Sequence, residues 1–170
     1  VAARLAAIEV PTICAMNGDV FGGGVELAVS CDFRIGVEGT KMRVPAAAIG
    51  LCYPLEGIQR FVECLGVTLT KRILVASEEF DAPAMLQIGF LDRLVLRPNL
   101  QDTADSMARH IGGLAPLAVR SMKQILRQIA GGQLDSAEAA QLVARCLESE
   151  DIQEGFAAKR EKRAPRFAGR

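Results

Sequence analysis

The chain has 170 residues, the length of one domain or of a core with a small appendage. Twenty Lys and Arg residues balance twenty Asp and Glu residues, so the overall charge gives no attraction for nucleic acid or for an acidic substrate. Half of the residues are hydrophobic, which is typical of a globular protein. No apolar run reaches the roughly 20 residues that a membrane-spanning helix needs.

The cysteines indicate the cellular compartment of the protein, and the first residues indicate whether a segment precedes this chain. Five cysteines are widely spaced without a C-x-x-C pair, which argues against a zinc site, any other metal site or a redox motif. Several lie among apolar neighbours, so we expect core thiols in a reducing compartment and a cytoplasmic protein. We expect no signal peptide. The chain opens at Val1 on an apparent helix end, so we expect a further segment upstream.

Up to about residue 97, short apolar stretches alternate with helical patterns, which predicts an α/β architecture. The predicted elements are the end of a helix (1–8), a buried strand (12–17), a helix (22–30), a strand (32–37), a short strand (42–45), two helices separated by Gly66 (56–65 and 68–76) and a strand (91–96). "GDVF" (18–21) and the segment from Ser77 to Asp81 are predicted as loops. Asp81 is expected to cap a short helix whose first turn contains Pro83.

After Pro98 only helical patterns occur. They cover residues 99–111, 115–130, 136–147 and 151–163. We therefore predict an α/β portion over residues 1–97 and an all-helical region over residues 98–170.

Three successive glycines, Gly22 to Gly24, stand at the start of a predicted helix that carries Glu26 in its first turn. Glycine inside a helix costs about 1 kcal/mol relative to alanine. A helix N-terminus offers unpaired N–H groups, and glycines let a ligand approach them closely. Such a site suits a phosphate or the oxyanion of a polarised carbonyl, with Glu26 as general acid or base. Alternatively, the glycines only permit close strand–helix packing and Glu26 only stabilises the helix dipole.

Two nucleotide-binding motifs are excluded at these glycines. A G-x-G-x-x-G fingerprint counted from Gly18 has Val20 in place of its second glycine, and counted from Gly22 it has Leu27 in place of its third. A P-loop fails because no Lys follows the glycines.

The stretch "PTICAMNGDVFGGGVELAVSCDFRIG" resembles the signature of the crotonase superfamily, also called the enoyl-CoA hydratase/isomerase family. Members read approximately P-x-I-A-A-V-N-G-x-x-x-G-G-G-x-E-L-A-x-x-C-D. The resemblance continues through "RVPAAAIGL", "GIQRF" and "DAPAMLQIGFLDRLV" to the terminal "EGFAAKREKRAPRF", at the family's spacing. It implies the C-terminal part of a spiral of β/α units, followed by a helical region that builds trimers, without the family's N-terminal half.

The resemblance also implies an activity and site residues. Family members bind acyl-CoA thioesters and stabilise an enolate at the thioester oxygen. Gly23 would donate its backbone N–H to that oxygen, and Gly22 and Gly24 would shape the turn against the substrate. Glu26 would be one of the two carboxylates that hydratases use. No cofactor is expected, because coenzyme A enters as part of the substrate.

Two departures from the family pattern bear on the activity. The family's other oxyanion N–H and most of its CoA-binding loop lie upstream of this helix. Hydratases also carry a second Glu directly after the Pro of the stretch matching "RVPAAAIG", and this chain has Ala46 there. Since alanine cannot move a proton, both hydratase activity and the isomerase activities that depend on this position are in question.

Four further residues are candidates with alternatives. Glu56 stands where related sequences usually have glycine, and is either a displaced acid/base group or a solvent-facing helix-start carboxylate. Tyr53, the only tyrosine, either lines the acyl pocket or packs in the core. Lys162 and its basic neighbours either reach the phosphates of CoA or form a solvated tail. His110, the only histidine, is expected at a surface or interface.

Two hypotheses follow. The first is an acyl-CoA enzyme of the hydratase/isomerase type, with hydratase, isomerase and other enolate chemistry left open. The second is a non-catalytic crotonase-like domain that binds or oligomerises without turnover. In both cases we expect a homotrimer or hexamer, because the helical region carries an apolar stripe. The stripe consists of Leu114, Leu117, Met122, Ile125 and Ile129. From the balanced charge and the lack of a long apolar run, we expect no nucleic acid or membrane partner.

Overall fold

The computed structural model describes all residues, 1–170, and its chain alternates strands with helices before it becomes helical. The strands are β1 (Ile13–Met16), β2 (Val20–Phe21), β3 (Phe33–Val37), β4 (Lys41–Arg43), β5 (Phe80–Asp81) and β6 (Arg93–Val95). The α-helices are α1 (Ala2–Ala6), α2 (Gly23–Val29), α3 (Leu55–Thr70), α4 (Ala82–Gln87), α5 (Leu100–Gly112), α6 (Pro116–Ala130), α7 (Ser136–Leu147) and α8 (Glu150–Glu161). No strand follows β6.

The chain forms two compact units. We call Val1–Ile8 with Thr12–Asp105 the α/β unit, and Glu9–Pro11 with Ser106–Arg170 the helical unit. The chain passes from one to the other within α5, whereas the sequence places its boundary at residue 97, between the last strand and the first of the four C-terminal helices.

The first sheet of the α/β unit has the strand order β1-β3-β6, and both pairs are parallel. Helix α2 connects β1 to β3, as a crossover between parallel strands requires. The strand ends are tied by carboxylates: Asp32 accepts a 2.8 Å hydrogen bond from the Thr12 hydroxyl, and Asp92 accepts a 2.7 Å bond from the Arg34 backbone N–H. These ties fix the register that places α2 on the sheet.

The second sheet has the order β2-β4-β5 and consists of very short strands. β2 pairs in parallel with β4 through Val20↔Met42, and β4 pairs antiparallel with β5 through Met42↔Phe80. The loop prediction was therefore wrong for Val20–Phe21 and for Phe80–Asp81. Two-residue strands carry no periodicity of their own, because their extended state depends on hydrogen bonds to a partner that is distant in sequence.

The core of the α/β unit is filled by aliphatic and phenylalanine side chains, as the scarcity of aromatics and the absence of Trp require. Its largest fully buried members are Phe61, Phe80, Phe90, Ile35, Met42, Ile73 and Met85. Helix α2 buries Val25, Ala28 and Val29 in it. Because one face of α2 is committed to the core, the Glu26 side chain lies on the helix flank, where it remains partly exposed.

Two local predictions about helix ends are confirmed. Helix α3 is interrupted at Gly66, whose φ of 73° and ψ of 165° are non-helical, so that two helical segments meet there as the sequence indicates. Asp81 caps α4, since its Oδ1 accepts a 2.9 Å hydrogen bond from the Ala84 N–H. Both features depend on the type of a single residue and its immediate neighbours, so they can be predicted from the sequence.

Three α-helices and the end of α5 make up the helical unit. Helices α6 and α7 are joined by Glu138, whose carboxylate accepts hydrogen bonds from Gln124 at 2.8 Å and Gln128 at 2.5 Å. An apolar cavity of about 320 Å³ lies within this unit, between residues of α6 and α8 and Phe167. None of the residues predicted for catalysis or substrate binding lines it.

The C-terminal segment folds back along α8 rather than extending into solvent. The Asp151 carboxylate is buried and accepts hydrogen bonds from the Ala168 N–H at 2.6 Å and the Gly169 N–H at 2.9 Å. Arg163 binds both oxygens of Glu154, which lowers the pKa of Glu154 to about 2. No helix in the structure has the length and apolar composition needed to cross a bilayer.

Candidate active site

The turn before α2 depends on glycine for two separate reasons. Gly22 has φ 50° and ψ −119°, a conformation that side-chain-bearing residues rarely adopt, and its N–H donates a 3.0 Å hydrogen bond to the Arg43 carbonyl of β4. Gly24 lies close to β2, since a Cβ there would be 3.0 Å from Val20 Cγ2. Both therefore have a structural role, as the packing alternative proposes.

Gly23 has no such packing explanation. It is the first residue of α2, and a Cβ built on it would meet no atom within 4 Å. Its N–H makes no hydrogen bond within the chain, as is usual for the first N–H groups of a helix. The structure thus leaves a donor and open space at the position where the resemblance places an oxyanion contact.

The Glu26 carboxylate is held by two donors that are distant in sequence. The Tyr53 hydroxyl donates to Oε2 at 3.0 Å, and Arg60 Nη1 donates to Oε1 at 2.7 Å. The side chains of Glu26 and Arg60 are 22% and 13% exposed, so the ion pair is shielded but not sealed from solvent. Each carboxylate oxygen has one donor and therefore keeps a free lone pair for a ligand.

Tyr53 is seated against the first turns of α3. Its ring makes an edge-to-face contact with Phe61, with centroids 5.7 Å apart and planes at 87°. A Cβ on Gly57 would lie 2.5 Å from the Tyr53 ring and 3.6 Å from Glu26 Cδ. A glycine inside a helix lowers the stability of the helix by about 1 kcal/mol relative to alanine. The space that the Tyr53 ring occupies above Gly57 therefore exists at the expense of helix stability.

Tyr53 remains a proton donor at all ordinary pH values. Burial, followed by the hydrogen bond to the Glu26 carboxylate and by its negative charge, raises the pKa of Tyr53 to about 12. Both interpretations from the sequence are therefore incomplete, because Tyr53 packs on Phe61 and also binds a candidate catalytic group.

Ala46 supplies no functional group, and its surroundings are apolar. It is 5% exposed and belongs to the core of the α/β unit. Its carbonyl accepts a 2.9 Å hydrogen bond from the Leu51 N–H, which fixes the irregular connection before α3. A second carboxylate is thus absent at this position.

The structure does not bring the Glu56 carboxylate to the Glu26 cluster. Glu56 is exposed at the start of α3, and only its backbone carbonyl contacts Arg60, at 3.3 Å from Nη1. Its carboxylate has no hydrogen-bond or ion-pair partner. A catalytic role for Glu56 stays a prediction that these contacts do not support.

The remaining candidates lie at the surface. Lys162 is exposed in the left-handed conformation that ends α8, without an ion-pair partner, whereas its neighbour Arg163 is bound to Glu154 and Glu161. His110 is exposed near the end of α5. No three His, Cys, Asp or Glu side chains are arranged as a metal site.

Sequence reasoning missed Arg60 and Gly57. Both belong to "GIQRF", where a glycine stands within the first turn of a helix and an arginine follows one turn later. Residues three positions apart on a helix share a face, so Gly57 and Arg60 lie on one side of α3, but the sequence does not indicate that this side meets Glu26.

Comparison with known proteins places these residues in a family. The sequence profile described as Enoyl-CoA hydratase/isomerase matches residues 2–170. "Enoyl-CoA hydratase domain-containing protein 2, mitochondrial" of Mus musculus is 34% identical over 175 residues, covering 98% of this chain and 58% of the relative. "2,3-dehydroadipyl-CoA hydratase" of Escherichia coli is 35% identical over 175 residues, covering 99% of this chain and 67% of the relative.

The fold agrees with solved structures. A crystal structure titled as a putative enoyl-CoA hydratase/isomerase family protein from Hyphomonas neptunium superposes with a TM-score of 0.89 at 32% identity, covering 99% of this chain and 65% of that one. The architecture is therefore an α/β crotonase-like fold. The chain spans about three fifths of the length of the first curated relatives that it matches. The family profile, the identity to its members and the shared fold together show that the chain belongs to the enoyl-CoA hydratase/isomerase family.

Proposed function

We propose that this protein acts on acyl-CoA thioesters through an enolate. Gly23 supplies one N–H to the thioester oxygen, and Glu26 removes or returns a proton at the α-carbon. The observation that carries this proposal is the Glu26 carboxylate, held by Tyr53 and Arg60 on the helix whose first N–H is unpaired. An oxyanion donor beside a proton-transfer group is what enolate chemistry requires.

The chemistry expected is one that a single carboxylate can perform. Hydration needs a water activated on one side and a proton delivered to the α-carbon, and Ala46 offers no second group for this work. Migration of a double bond needs one group that moves a proton between two carbons. We therefore favour an isomerase or another enolate reaction over hydration, although a relative of this chain is a hydratase by name.

Coenzyme A enters as part of the substrate, and we expect no separate cofactor. Lys162, exposed and without an ion-pair partner, is our candidate for a contact to the CoA phosphates. All five cysteines are free thiols, which supports a reducing, cytoplasmic location.

Exchange of the α-proton tests the proposal without assuming a particular acyl group. The full protein is incubated in D₂O with butyryl-CoA, a saturated thioester in which a proton leaves the α-carbon to Glu26 and deuterium returns. Mass spectrometry then follows the incorporation. Migration of a double bond in a 3-enoyl-CoA is assayed in parallel.

We expect exchange in the parent and a loss of about 10²- to 10⁴-fold in Glu26→Gln. Butyryl-CoA binding measured by calorimetry should persist in the variant. Equal exchange in the parent and in Glu26→Gln would refute Glu26 as the base. Binding without exchange or turnover in the parent would support the non-catalytic alternative instead.

A further inference from the structure

The Glu26 carboxylate is held by two residues that lie outside its own helix. Tyr53 precedes α3, and Arg60 lies in the second turn of α3, whereas Glu26 belongs to α2. The two donors approach different oxygens of one carboxylate, at 3.0 and 2.7 Å. We propose that Tyr53 and Arg60 are positioning residues that hold the Glu26 carboxylate in the single orientation needed for proton transfer; this inference rests on the proposed function.

The contact differs from an ordinary surface ion pair. Exposed pairs such as Lys41 with Glu79 hold two mobile side chains in solvent and contribute little. The Arg60–Glu26 pair is mostly shielded, and the Tyr53 hydroxyl closes the other side of the carboxylate. Partial burial strengthens such a network and restricts the torsions of the glutamate side chain.

The position of the Tyr53 ring beside Glu26 requires glycine at residue 57. A Cβ at this helical position would lie 2.5 Å from Tyr53 Cε1 and 2.7 Å from Cδ1. The most stabilising helix residue is therefore excluded where it would displace the ring from Glu26. Packing of the ring on Phe61 alone would not need the hydroxyl to be directed at a carboxylate.

Orientation matters because proton transfer to carbon tolerates little misplacement. A displacement of about 1 Å at a reacting group can lower a rate by about 10²-fold. Tyr53 is suited to hold the carboxylate because it keeps its proton, so its hydroxyl donates throughout the working pH range. Arg60 is suited because its guanidinium is always charged.

The test compares four variants of the full protein in the α-proton exchange assay. Tyr53→Phe removes one hydroxyl and leaves the ring on Phe61, and Arg60→Met removes the charge. Arg60→Lys keeps the charge. Arg72→Met is the control for the loss of one arginine charge, because Arg72 pairs with Glu78 and stacks over Phe80 and makes no contact with Glu26.

We expect kcat for exchange to fall about 10-fold in Tyr53→Phe and about 10²-fold in Arg60→Met, with KM changed less than kcat. Arg60→Lys should recover part of the loss, and Arg72→Met should match the parent. Parent-like kcat in Tyr53→Phe and Arg60→Met would overturn the inference. So would losses confined to KM, or losses that match a fall in the folded fraction measured by circular dichroism.

A second measurement reports on the contact without any turnover. Tyr53 is the only tyrosine of this chain, which also has no Trp. Any tyrosine outside this sequence is replaced by Phe for the measurement, so that the tyrosinate absorbance band belongs to Tyr53 alone. Glu26→Gln should lower the pKa of Tyr53, and Arg60→Met should raise it further, because the Arg60 charge lowers it. An unchanged titration in Glu26→Gln would also overturn the inference.

The two proposals fail in different ways. If Glu26→Gln abolishes exchange while Tyr53→Phe and Arg60→Met retain it, the proposed function stands and the positioning role is wrong. If the titration of Tyr53 responds to Glu26→Gln but the parent shows no exchange or turnover, the contact between Tyr53 and Glu26 exists but the proposed function is wrong. The positioning role is then wrong as well, because it rests on that function.

Discussion

Gly57 and Tyr53 compete for one volume, because a Cβ on residue 57 would lie 2.5 Å from the Tyr53 ring. Gly57→Ala should therefore move the ring away from Glu26. In an open helical position the same change stabilises by about 1 kcal/mol, so the fold itself should survive. We expect the pKa of Tyr53 to fall from about 12 toward its ordinary value, measured by the tyrosinate band, together with slower α-proton exchange.

The control for this variant is Gly155→Ala in α8. A Cβ on Gly155 would meet the Phe167 ring at 3.7 Å, an ordinary contact. Gly155→Ala should leave the pKa of Tyr53 unchanged and raise or maintain Tm. If Gly57→Ala also leaves the pKa of Tyr53 and the Tm unchanged, a side chain at residue 57 does not displace the Tyr53 ring.

Gly23→Pro should remove the oxyanion donor while preserving α2. Gly23 is the first helical residue, the position at which proline is best tolerated, and it has no intrachain N–H bond to lose. We expect turnover to fall about 10²- to 10³-fold, the typical effect of losing one such donor. Gly23→Ala keeps the N–H, so its turnover should fall less than that of the proline variant. Turnover of the proline variant within a few fold of the parent would show that Gly23 is not the donor.

Ala46→Glu tests whether a missing carboxylate limits hydration. Each general acid or base contributes about 10²- to 10⁴-fold, so crotonyl-CoA hydration should rise markedly in the full protein. Because Ala46 is 5% exposed among apolar residues, the same change should lower Tm, and the assay must be run below the variant's transition. The parent and Glu26→Gln are assayed alongside. Rapid hydration by the parent with no gain in the variant would mean that another group supplies the second carboxylate, and Glu56 would be examined first.

The thiols of Cys14 and Cys31 interact, which raises the pKa of Cys14 and lowers the pKa of Cys31. Since the thiolate is the reactive form, Cys31 should be alkylated by iodoacetamide at neutral pH before Cys14. Peptide mass spectrometry over time measures the order. Cys14→Ala removes the thiol that lowers the pKa of Cys31 and should slow modification of Cys31, whereas Cys146→Ala should not. Faster modification of Cys14 than of Cys31 would contradict the assignment.

Self-association is expected through the helical unit. Helix α6 exposes Met122, Leu126 and Ile129, which follow each other at helical spacing on one face. Leu117 and Ile125 of the predicted stripe are instead partly buried, and Leu114 is exposed. An apolar face of this kind normally meets another protein surface. We expect a trimer or a pair of trimers in sedimentation velocity, and dissociation by Leu126→Glu.

The control for the sedimentation experiment is Gln133→Glu, an exposed change beyond the end of α6. It should sediment as the parent does. A parent that remains a monomer at every concentration would show that this face does not mediate association.

The sequence by itself determined the elements whose signals are local. Asp81 caps α4 and Gly66 interrupts α3, because capping and the left-handed backbone are properties of single residues and their neighbours. The family resemblance also named Gly23 and Glu26 as candidate site residues, and both lie on α2; their catalytic roles stay predictions. The family assignment followed from the same residues.

The tertiary structure alone decided what surrounds Glu26. Tyr53 and Arg60 reach it from 27 and 34 residues away, and no periodicity in the sequence links α3 to α2. The two-residue strands β2 and β5 were equally hidden, because each becomes extended only by pairing with β4. Contacts between distant segments depend on how the core packs, and that packing is a property of the whole α/β unit rather than of any stretch within it.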